Sequence, residues 1–409
     1  MSDAFLAAAW SIGVRLCRDA LWDGERCNWL GDSMEPVGGD WRVVHRAFGP
    51  DFYAGTSGIA LFLARLHRRG GEGLFRTTAL GAARHAISRL DDVSGPAQTG
   101  FYGGLAGIAY ALDEAGELLD APELTSGSRR ALRALGGHDP KTGGLDVIGG
   151  SAGIIPVLLM LHPQHPDLGL RDLAVRHGGH LLETAHRDEA GWSWDTLGVP
   201  GQRDLTGFSH GTAGIGWALL ELHRATAQPE FAAAAGRAFD YERHWFDRRQ
   251  GNWPDFRAAA ETAGTPPGCS VAWCHGAPGI GLSRLRAYRL TGDPAFLEET
   301  RAAVAATTSF LRQALGGGAM DFSLCHGLSG DAEFLLEASA VLAEPEHAAF
   351  AREIGRTGIE RYAGQAWPCG VPGGGETPNL MLGLAGIGHF FLRLHDPATG
   401  SVLMVGPGG

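Results

Sequence analysis

The sequence predicts an all-α fold, namely an α/α toroid (barrel) of seven helix pairs arranged as an inner and an outer ring. A Gly-x-x-Gly frame occurs seven times, and successive first glycines lie 46 to 65 residues apart, which fits a unit of two helices and a variable loop. The segment after each frame is apolar nearly all round, whereas the segment before it has a polar face. Because a helix without a polar face is buried, we expect the second helix of each pair in the inner ring.

The seven frames also predict the domain organisation. Their repeats span residues 55 to 390 of a 409-residue chain and leave no room for an independent domain, so we expect residues 1–409 to form a single domain. Glycines before each inner helix allow a sharp turn and a close approach of neighbouring segments. The first glycines of the seven copies are Gly55, Gly104, Gly150, Gly211, Gly276, Gly327 and Gly383.

The helical spacing of apolar residues predicts the pairs in chain order, with the outer helix first. Between the first two helices, the segment from residue 22 to the first frame is rich in Gly, Asp and Trp and is predicted to be a loop. The predicted pairs are 7–21 and 58–69, 75–90 and 105–112, 129–135 and 152–161, 170–185 and 213–222, 231–246 and 278–290, 296–315 and 329–342, and 348–362 and 385–394.

The charge and composition of the chain argue against several classes of function. A net charge of −11 disfavours nucleic acid as a partner, because phosphate binding needs a basic face. No apolar run approaches the length of a membrane span, and the N-terminus lacks a basic region followed by a cleavage site. Six cysteines in a chain of this length do not form a disulfide framework. We therefore expect a soluble, cytoplasmic protein.

Histidine and cysteine recur at matched positions of the frames. The residue directly before the first glycine is histidine in three successive copies, at His210, His275 and His326, and cysteine precedes two of them, at Cys274 and Cys325. Thiolate and imidazole are ligands of zinc, which in catalytic sites keeps one coordination position open. We therefore expect Cys274, Cys325 and His326 to bind Zn²⁺. The alternative is that these side chains are buried as ordinary core residues.

The other four cysteines lie outside this register. Cys17 and Cys27 are expected to be core residues. Cys269 and Cys369 lie in loops rich in Gly and Pro that flank frames, so we expect spare thiols there, which could also line the site.

With these motifs, the chain resembles the lanthionine synthetase C-like family, the cyclases of lanthipeptide biosynthesis. The resemblance covers essentially the whole chain. It rests on the seven frames and on the sequences GFSHGTAGIG at 207–216, WCHGAPGIG at 273–281 and SLCHG at 323–327. It is strongest to the cyclase half of the two-function synthetases and to the stand-alone eukaryotic-type members.

The resemblance implies roles for individual residues. His210 and Asp146 match the family's active-site His and Asp, and His275 stands where some bacterial stand-alone cyclases have Tyr. Some members also carry an Arg a few residues before the first Cys, but residues 267–272 contain none, which leaves the role of that Arg unassigned here. The zinc ligands implied by the resemblance are Cys274, Cys325 and His326.

Chemistry supports the same residue types. A free thiol has a pKa of about 8.5 and is mostly protonated at pH 7, whereas zinc coordination deprotonates it. The thiolate would attack the β-carbon of a dehydroalanine or dehydrobutyrine, and the resulting enolate needs a proton at Cα. His210 and His275 are candidates for the base and the acid, because imidazole titrates near neutrality. Asp146 would orient one of them, or would instead cap a local turn.

The expected substrate is a dehydrated precursor peptide. Because repeats fill the chain, we expect a separate dehydratase or kinase/lyase enzyme to make the alkene. Two other functions stay open: a cyclase-like module that binds peptide or scaffolds a modifying complex without catalysis, and addition of an external thiol such as glutathione. Prenyltransferase β-subunits use a zinc carboxylate ligand, and glycosidase toroids need paired carboxylates, so neither predicts the Cys, Cys, His register.

Overall fold

The computed structural model describes residues 4–37, 40–257, 267–317 and 321–407. Fourteen α-helices lie within these ranges, and they occupy the places that the frames predict, which confirms the toroid. In chain order they are α1 Ala4–Arg18, α2 Thr56–Gly70, α3 Gly73–Ser88, α4 Leu105–Leu118, α5 Pro122–Gly136, α6 Ser151–Leu161, α7 Leu170–Thr184, α8 Thr212–Thr226, α9 Pro229–Trp245, α10 Ala277–Thr291, α11 Ala295–Gly317, α12 Leu328–Leu342, α13 Pro345–Tyr362 and α14 Leu384–His395.

The inner ring consists of the even-numbered helices. Each contacts the next in order, and α14 contacts α2, so the ring closes. Each inner helix packs most extensively against the outer helix that follows it, and α14 packs against α1. The sequence instead paired each outer helix with the inner helix after it. The difference arises because only a short connection follows an inner helix, such as residues 71–72 after α2, and a short connection makes antiparallel neighbours.

Burial separates the two rings as the sequence predicts. All residues of α6 except Met160 are buried, whereas α13 buries only Ala351, Ile354, Gly355 and Gly358. This difference follows from position, because an inner helix is covered on every side and an outer helix on one. No helix among the described residues has both the length and the apolar character needed to cross a bilayer.

The segment after α1 corrects the prediction of a loop from residue 22 to the first frame. It forms two antiparallel hairpins, β1 Leu21–Asp23 with β2 Arg26–Asn28, and β3 Leu30–Val37 with β4 Asp40–Ala47. Seven of the eight residues of β4 are exposed, so neither face needs apolar residues and the alternating pattern of a half-buried strand is missing. A third short hairpin joins β5 His186–Arg187 to β6 Trp192–Ser193.

The second glycine of each frame allows the inner helix to pack against the turn that directly precedes it. A Cβ atom added there would lie 1.8 to 2.3 Å from the carbonyl oxygen six residues earlier in all seven copies. No real Cβ approaches an oxygen so closely, so glycine is required at this position of every repeat. The carbonyl oxygens belong to Phe52, Phe101, Val147, Phe208, Trp273, Leu324 and Leu380.

Gly107→Ala is expected to lower the free energy of unfolding by about 3 kcal/mol, the upper range for overpacking a core. Its Cβ would meet the Phe101 carbonyl oxygen at 1.8 Å. The matched control is Gly236→Ala, in the exposed interior of α9 with nothing within 4 Å of the added Cβ. That change should raise stability by about 0.5–1 kcal/mol through helix propensity. Urea unfolding of both variants measures the difference, and equal effects would contradict this account of the frame.

Candidate active site

A closed belt of backbone hydrogen bonds brings the seven frames together around the ring axis. We define the axial belt as the residues that lie two positions before the first glycine of each frame. One backbone N–H in each frame donates to the carbonyl oxygen of the belt residue in the following frame. Six of the seven donors are belt residues, and in the third frame Val147 donates instead of Ile148. The N···O distances are 2.9 to 3.3 Å, and the last bond runs from Met381 to Tyr53. The axial belt is Tyr53, Tyr102, Ile148, Ser209, Cys274, Cys325 and Met381.

Belt order explains why residues distant in sequence meet. Cys274 and Cys325 are successive belt members, and the Cys274 N–H donates to the Cys325 carbonyl at 3.3 Å. The three histidines of the register follow the belt directly and border one cavity of about 400 Å³. The structure thus brings the two cysteines and the three histidines together. Their catalytic and metal-binding roles remain predictions. The cavity is lined by Asp51, Tyr53, Gly103, Ile148, Ser209, His210, Arg257, Cys274, His275, Cys325 and His326.

The two cysteine side chains are hydrogen-bonded to each other. This bond lowers the pKa of the Cys274 thiol to about 7 despite burial, and the nearby positive groups of His326 and Arg257 act in the same direction. The pKa of Cys325 is raised well above its ordinary value, because Cys325 shares that hydrogen bond and is buried beside the Cys274 charge. One thiolate is therefore accessible near neutral pH, and a cation would be needed to ionise both.

Asp321 fixes the orientation of the His326 ring. Its Oδ2 atom lies 3.2 Å from Nδ1 of His326. Burial lowers the pKa of His326, but the hydrogen bond and charge of Asp321 raise it overall. With the proton held on Nδ1, Nε2 is free to accept, which is the usual arrangement of a zinc-ligating histidine backed by a carboxylate. Two thiols and one imidazole nitrogen form a donor set that fits Zn²⁺.

A different group has the tightest convergence of ligand atoms among the described residues. Glu344, Glu346 and His347, at the start of α13, place three such atoms within 4.8 Å of one another. The carboxylate of Glu344 already accepts hydrogen bonds from Arg301 and His347, so these residues form an ordinary outer-ring ion-pair cluster. The prediction of zinc at Cys274, Cys325 and His326 therefore rests on the chemical type of these three ligands and on the contact of Asp321 with His326.

Asp146 and His210 form a hydrogen-bonded pair at the edge of the cavity. Oδ2 of Asp146 lies 2.5 Å from Nδ1 of His210, and Oδ1 accepts the backbone N–H of Gly149 at 2.8 Å. Both interpretations of Asp146 are therefore visible, since one oxygen stabilises the turn of the third frame and the other contacts the histidine. The carboxylate is nearly buried, whereas His210 remains open to the cavity. Nε2 of His210 is the atom left to face a substrate.

His275 has a contrasting environment. It is 1% exposed, and neither ring nitrogen has a hydrogen-bond partner. Burial, with a further contribution from the Arg257 charge, lowers the pKa of His275 to about 3. Its ring stacks near that of His210, with centroids 5.6 Å apart and an interplanar angle of 28°. His275 is therefore neutral at physiological pH, while its neighbour is paired with a carboxylate.

Comparison with known proteins identifies the family. The family model described as lanthionine synthetase C-like protein matches residues 47–405 of the chain. The chain belongs to the lanthionine synthetase C-like family. Its fold is similar to that of nisin cyclase, with a TM-score of 0.66, 20% identity, and coverage of 86% of this chain and 90% of that one.

A curated relative is more similar in sequence over a shorter stretch. The Danio rerio protein named glutathione S-transferase LANCL1 is 26% identical over 211 residues, which cover 48% of this chain. The matched region spans only 44% of that relative's own length.

In this lanthionine synthetase C-like chain, an arginine reaches the site from an unexpected position. Residues 267–272 contain none, but Arg257 lines the cavity. Asp255 accepts two hydrogen bonds from the guanidinium, at 3.0 and 2.7 Å, and the Asp255 N–H donates to the Gly268 carbonyl. Arg257 stands seventeen residues before Cys274, outside any frame, so no periodic pattern could have indicated it.

Tyr53 is a second residue that the sequence analysis missed. Its hydroxyl hydrogen-bonds to the Cys325 thiol, and its ring lines the cavity. Alignment of the frames carried the signal, because Tyr53 occupies in the first frame the belt position that Cys274 and Cys325 occupy in later ones.

The four remaining cysteines do not line the cavity. Cys17 and Cys27 are buried, as expected for core residues. Burial raises the pKa of Cys269 to about 11 and that of Cys369 to about 12, so both are protonated thiols at neutral pH.

Proposed function

We propose that this chain is a zinc-dependent lanthipeptide cyclase. It would add cysteine thiols of a dehydrated precursor peptide to dehydroalanine or dehydrobutyrine in the same peptide and form lanthionine or methyllanthionine rings. The observation that carries the proposal is the placement of Cys274, Cys325 and His326 across one cavity from the His210–Asp146 pair. When bound, zinc would lower the pKa of a substrate thiol and make it a nucleophile at neutral pH.

The reaction forms one carbon–sulfur bond and moves one proton. The substrate thiol releases its proton to water and its sulfur bonds to Cβ of the alkene, while the π electrons shift toward the carbonyl and give an enolate. A proton then bonds to Cα. His210 is suited to deliver this proton from Nε2, because Asp146 stabilises the imidazolium on the opposite nitrogen. The guanidinium of Arg257 is the charge in the cavity that can stabilise the developing enolate oxygen.

Thiol addition needs an alkene that another reaction has already made. The helices of the described ranges belong to the two rings, and the axial cavity holds the residues suited to thiol addition. We therefore propose that a separate dehydratase or kinase/lyase enzyme supplies the dehydrated peptide.

A second candidate function is addition of an external thiol to dehydroamino acids. Arg257 favours it, because a guanidinium at the cavity wall fits a carboxylate of glutathione, and the name of the Danio rerio relative points to the same thiol. A third candidate is a non-catalytic peptide-binding or scaffold protein. It would not need a thiol pair with one lowered pKa facing a His–Asp pair.

A synthetic peptide with one cysteine and one dehydroalanine separates these functions. A cyclase should protect the cysteine from N-ethylmaleimide, an external-thiol transferase should add one glutathione mass when glutathione is present, and a scaffold should do neither above the protein-free rate. Arg257→Gln is expected to slow glutathione addition on the order of tenfold, the loss of one charge-assisted hydrogen bond. The control is Arg248→Gln, an exposed arginine outside the cavity. Rates equal to the protein-free control in both assays would reject both enzymatic functions.

A further inference from the structure

The described end of the chain enters the ring from the side opposite the frames. We refer to residues 399–407 as the C-terminal segment. Val402 and Leu403 are completely buried, and Val405 is 5% exposed. The segment lies against the C-terminal halves of inner helices, where Arg65 of α2, Arg286 of α10 and Arg393 of α14 project. It therefore lies at the end of the ring opposite the candidate active site.

Side chains of the ring hold this segment by its backbone carbonyls. Nε of Arg393 donates to the Thr399 carbonyl oxygen at 3.1 Å, and Nη1 of Arg65 donates to the Gly400 carbonyl oxygen at 2.8 Å. Arg286 donates to the carbonyl of Pro407. Because all of these acceptors are main-chain atoms, the contacts recognise the backbone of the segment at a fixed register.

Carboxylates hold the three arginines in place, and those of Glu221 and Glu333 are buried. Arg65 pairs with Glu114, Arg286 with Glu221 and Arg393 with Glu333. A buried guanidinium is costly unless it is paired and hydrogen-bonded, and the carbonyls of the segment accept hydrogen bonds from these guanidiniums in addition to those that the carboxylates accept. A cavity of about 360 Å³ beside the segment is lined by the same arginines.

Two further carbonyls connect the segment to the axial belt. The Tyr102 hydroxyl donates to Val402 at 2.7 Å, and the Trp273 indole N–H donates to Leu403 at 2.9 Å. Tyr102 is a belt residue, and Trp273 directly precedes Cys274. Their rings contact each other edge to face, with centroids 5.1 Å apart. The segment thus contacts Trp273, the residue that directly precedes Cys274.

We propose that this end of the ring is a peptide-backbone binding channel occupied by the chain's own C-terminal segment, and that its occupancy positions Cys274 through Trp273. Trp273 and Tyr102 are positioning residues in this scheme, since neither contacts a reacting atom. The proposal that this end binds a peptide backbone rests only on the hydrogen bonds to the carbonyls of the C-terminal segment. The positioning part rests on the proposed function for the metal at Cys274 and for its effect on rate.

The test removes the segment and returns it as a separate molecule. A chain ending at residue 398 should bind a synthetic peptide of residues 399–409 saturably at one site, measured by calorimetry, whereas the full chain should not bind it. A peptide with aspartate in place of Val402 and Leu403 is the matched control and should not bind. If the truncated chain is helical and holds metal yet ignores the native peptide, the channel is rejected. A truncated chain that fails to fold should regain its helical circular dichroism with the native peptide, and failure to do so also rejects the channel.

Point variants in the full chain test the positioning step. Trp273→Phe keeps the aromatic ring but removes the donor to Leu403, and Trp194→Phe is the control, since its indole donates to Leu181 of the outer ring at 2.8 Å. We expect the cobalt-substituted Trp273 variant to show a shifted thiolate-to-metal absorption and cyclisation slowed on the order of tenfold, the size of a lost supporting contact. The absorption is read without substrate, so it is independent of the proposed reaction. An unchanged spectrum, as expected for the control, overturns the positioning role.

Discussion

Cys325→Ala is expected to abolish zinc binding and, with it, thiol addition. Purified wild-type protein should carry about one zinc per chain in tetrahedral sulfur and nitrogen coordination. Removing one of three protein ligands leaves an incomplete site, and the remaining Cys274 loses the hydrogen bond that contributes most to its lowered pKa. Metal analysis of the dialysed protein and the peptide cyclisation rate measure the two effects.

The structure supplies a close control for this experiment. Cys369 is a half-buried thiol, which hydrogen-bonds to Thr377 and does not line the cavity. Cys369→Ala should therefore keep its zinc and its rate. If Cys325→Ala retains the zinc content of the wild type, the ligand assignment is wrong and the cysteine pair has another role.

Asp321 provides a graded version of the same test. Asp321→Asn keeps the size of the side chain but weakens its hold on Nδ1 of His326. Loss of a supporting carboxylate typically costs 10- to 100-fold in metal affinity, so zinc should be present but more easily removed by a chelator. No change in chelator sensitivity would indicate that His326 does not bind the metal through Nε2.

The frames explain why the fold and much of the candidate site could be predicted. A repeat that places glycine before every inner helix also places equivalent residues around one axis. The histidines of three successive frames could therefore be assigned to one site without knowledge of any contact. The belt hydrogen bonds supply the physical reason, because they lock the frames in register. Asp146 lies four residues before its frame's first glycine, and its contact with His210 agrees with the pairing that the resemblance suggested.

Features outside the repeat were not predictable in the same way. Arg257 reaches the cavity because Asp255 holds its side chain and the Gly268 carbonyl holds the Asp255 backbone, and such a contact has no sequence period. Strand β4 is exposed on both faces, so the alternation that marks a half-buried strand is absent there. The hydrogen bond of Trp273 with the Leu403 carbonyl joins residues 130 positions apart. It depends on the path of residues 399–407 against the inner ring, which follows no repeat.

His210→Ala is expected to slow cyclisation on the order of a hundredfold or more while leaving zinc in place, the usual cost of losing a general acid or base. Its Nε2 faces the cavity, and Asp146 stabilises a proton on the ring. His275→Ala should retain zinc as well and be less damaging. The low pKa of His275, about 3, keeps that ring neutral at pH 7 and unsuited to deliver a proton to Cα.

Asp146→Asn and a control outside the cavity complete the comparison. The amide cannot stabilise an imidazolium as the carboxylate does, so the Asp146 variant should also cyclise slowly. His165 and Asp113 form a similar pair, with Nε2 and Oδ1 2.8 Å apart, that does not line the cavity, so His165→Ala should not alter the rate per bound zinc. Near-normal rates in both His210→Ala and His275→Ala would remove the acid/base assignment. Loss of zinc from His275→Ala would instead make that residue a ligand, since it directly follows Cys274 in the same frame position as His326.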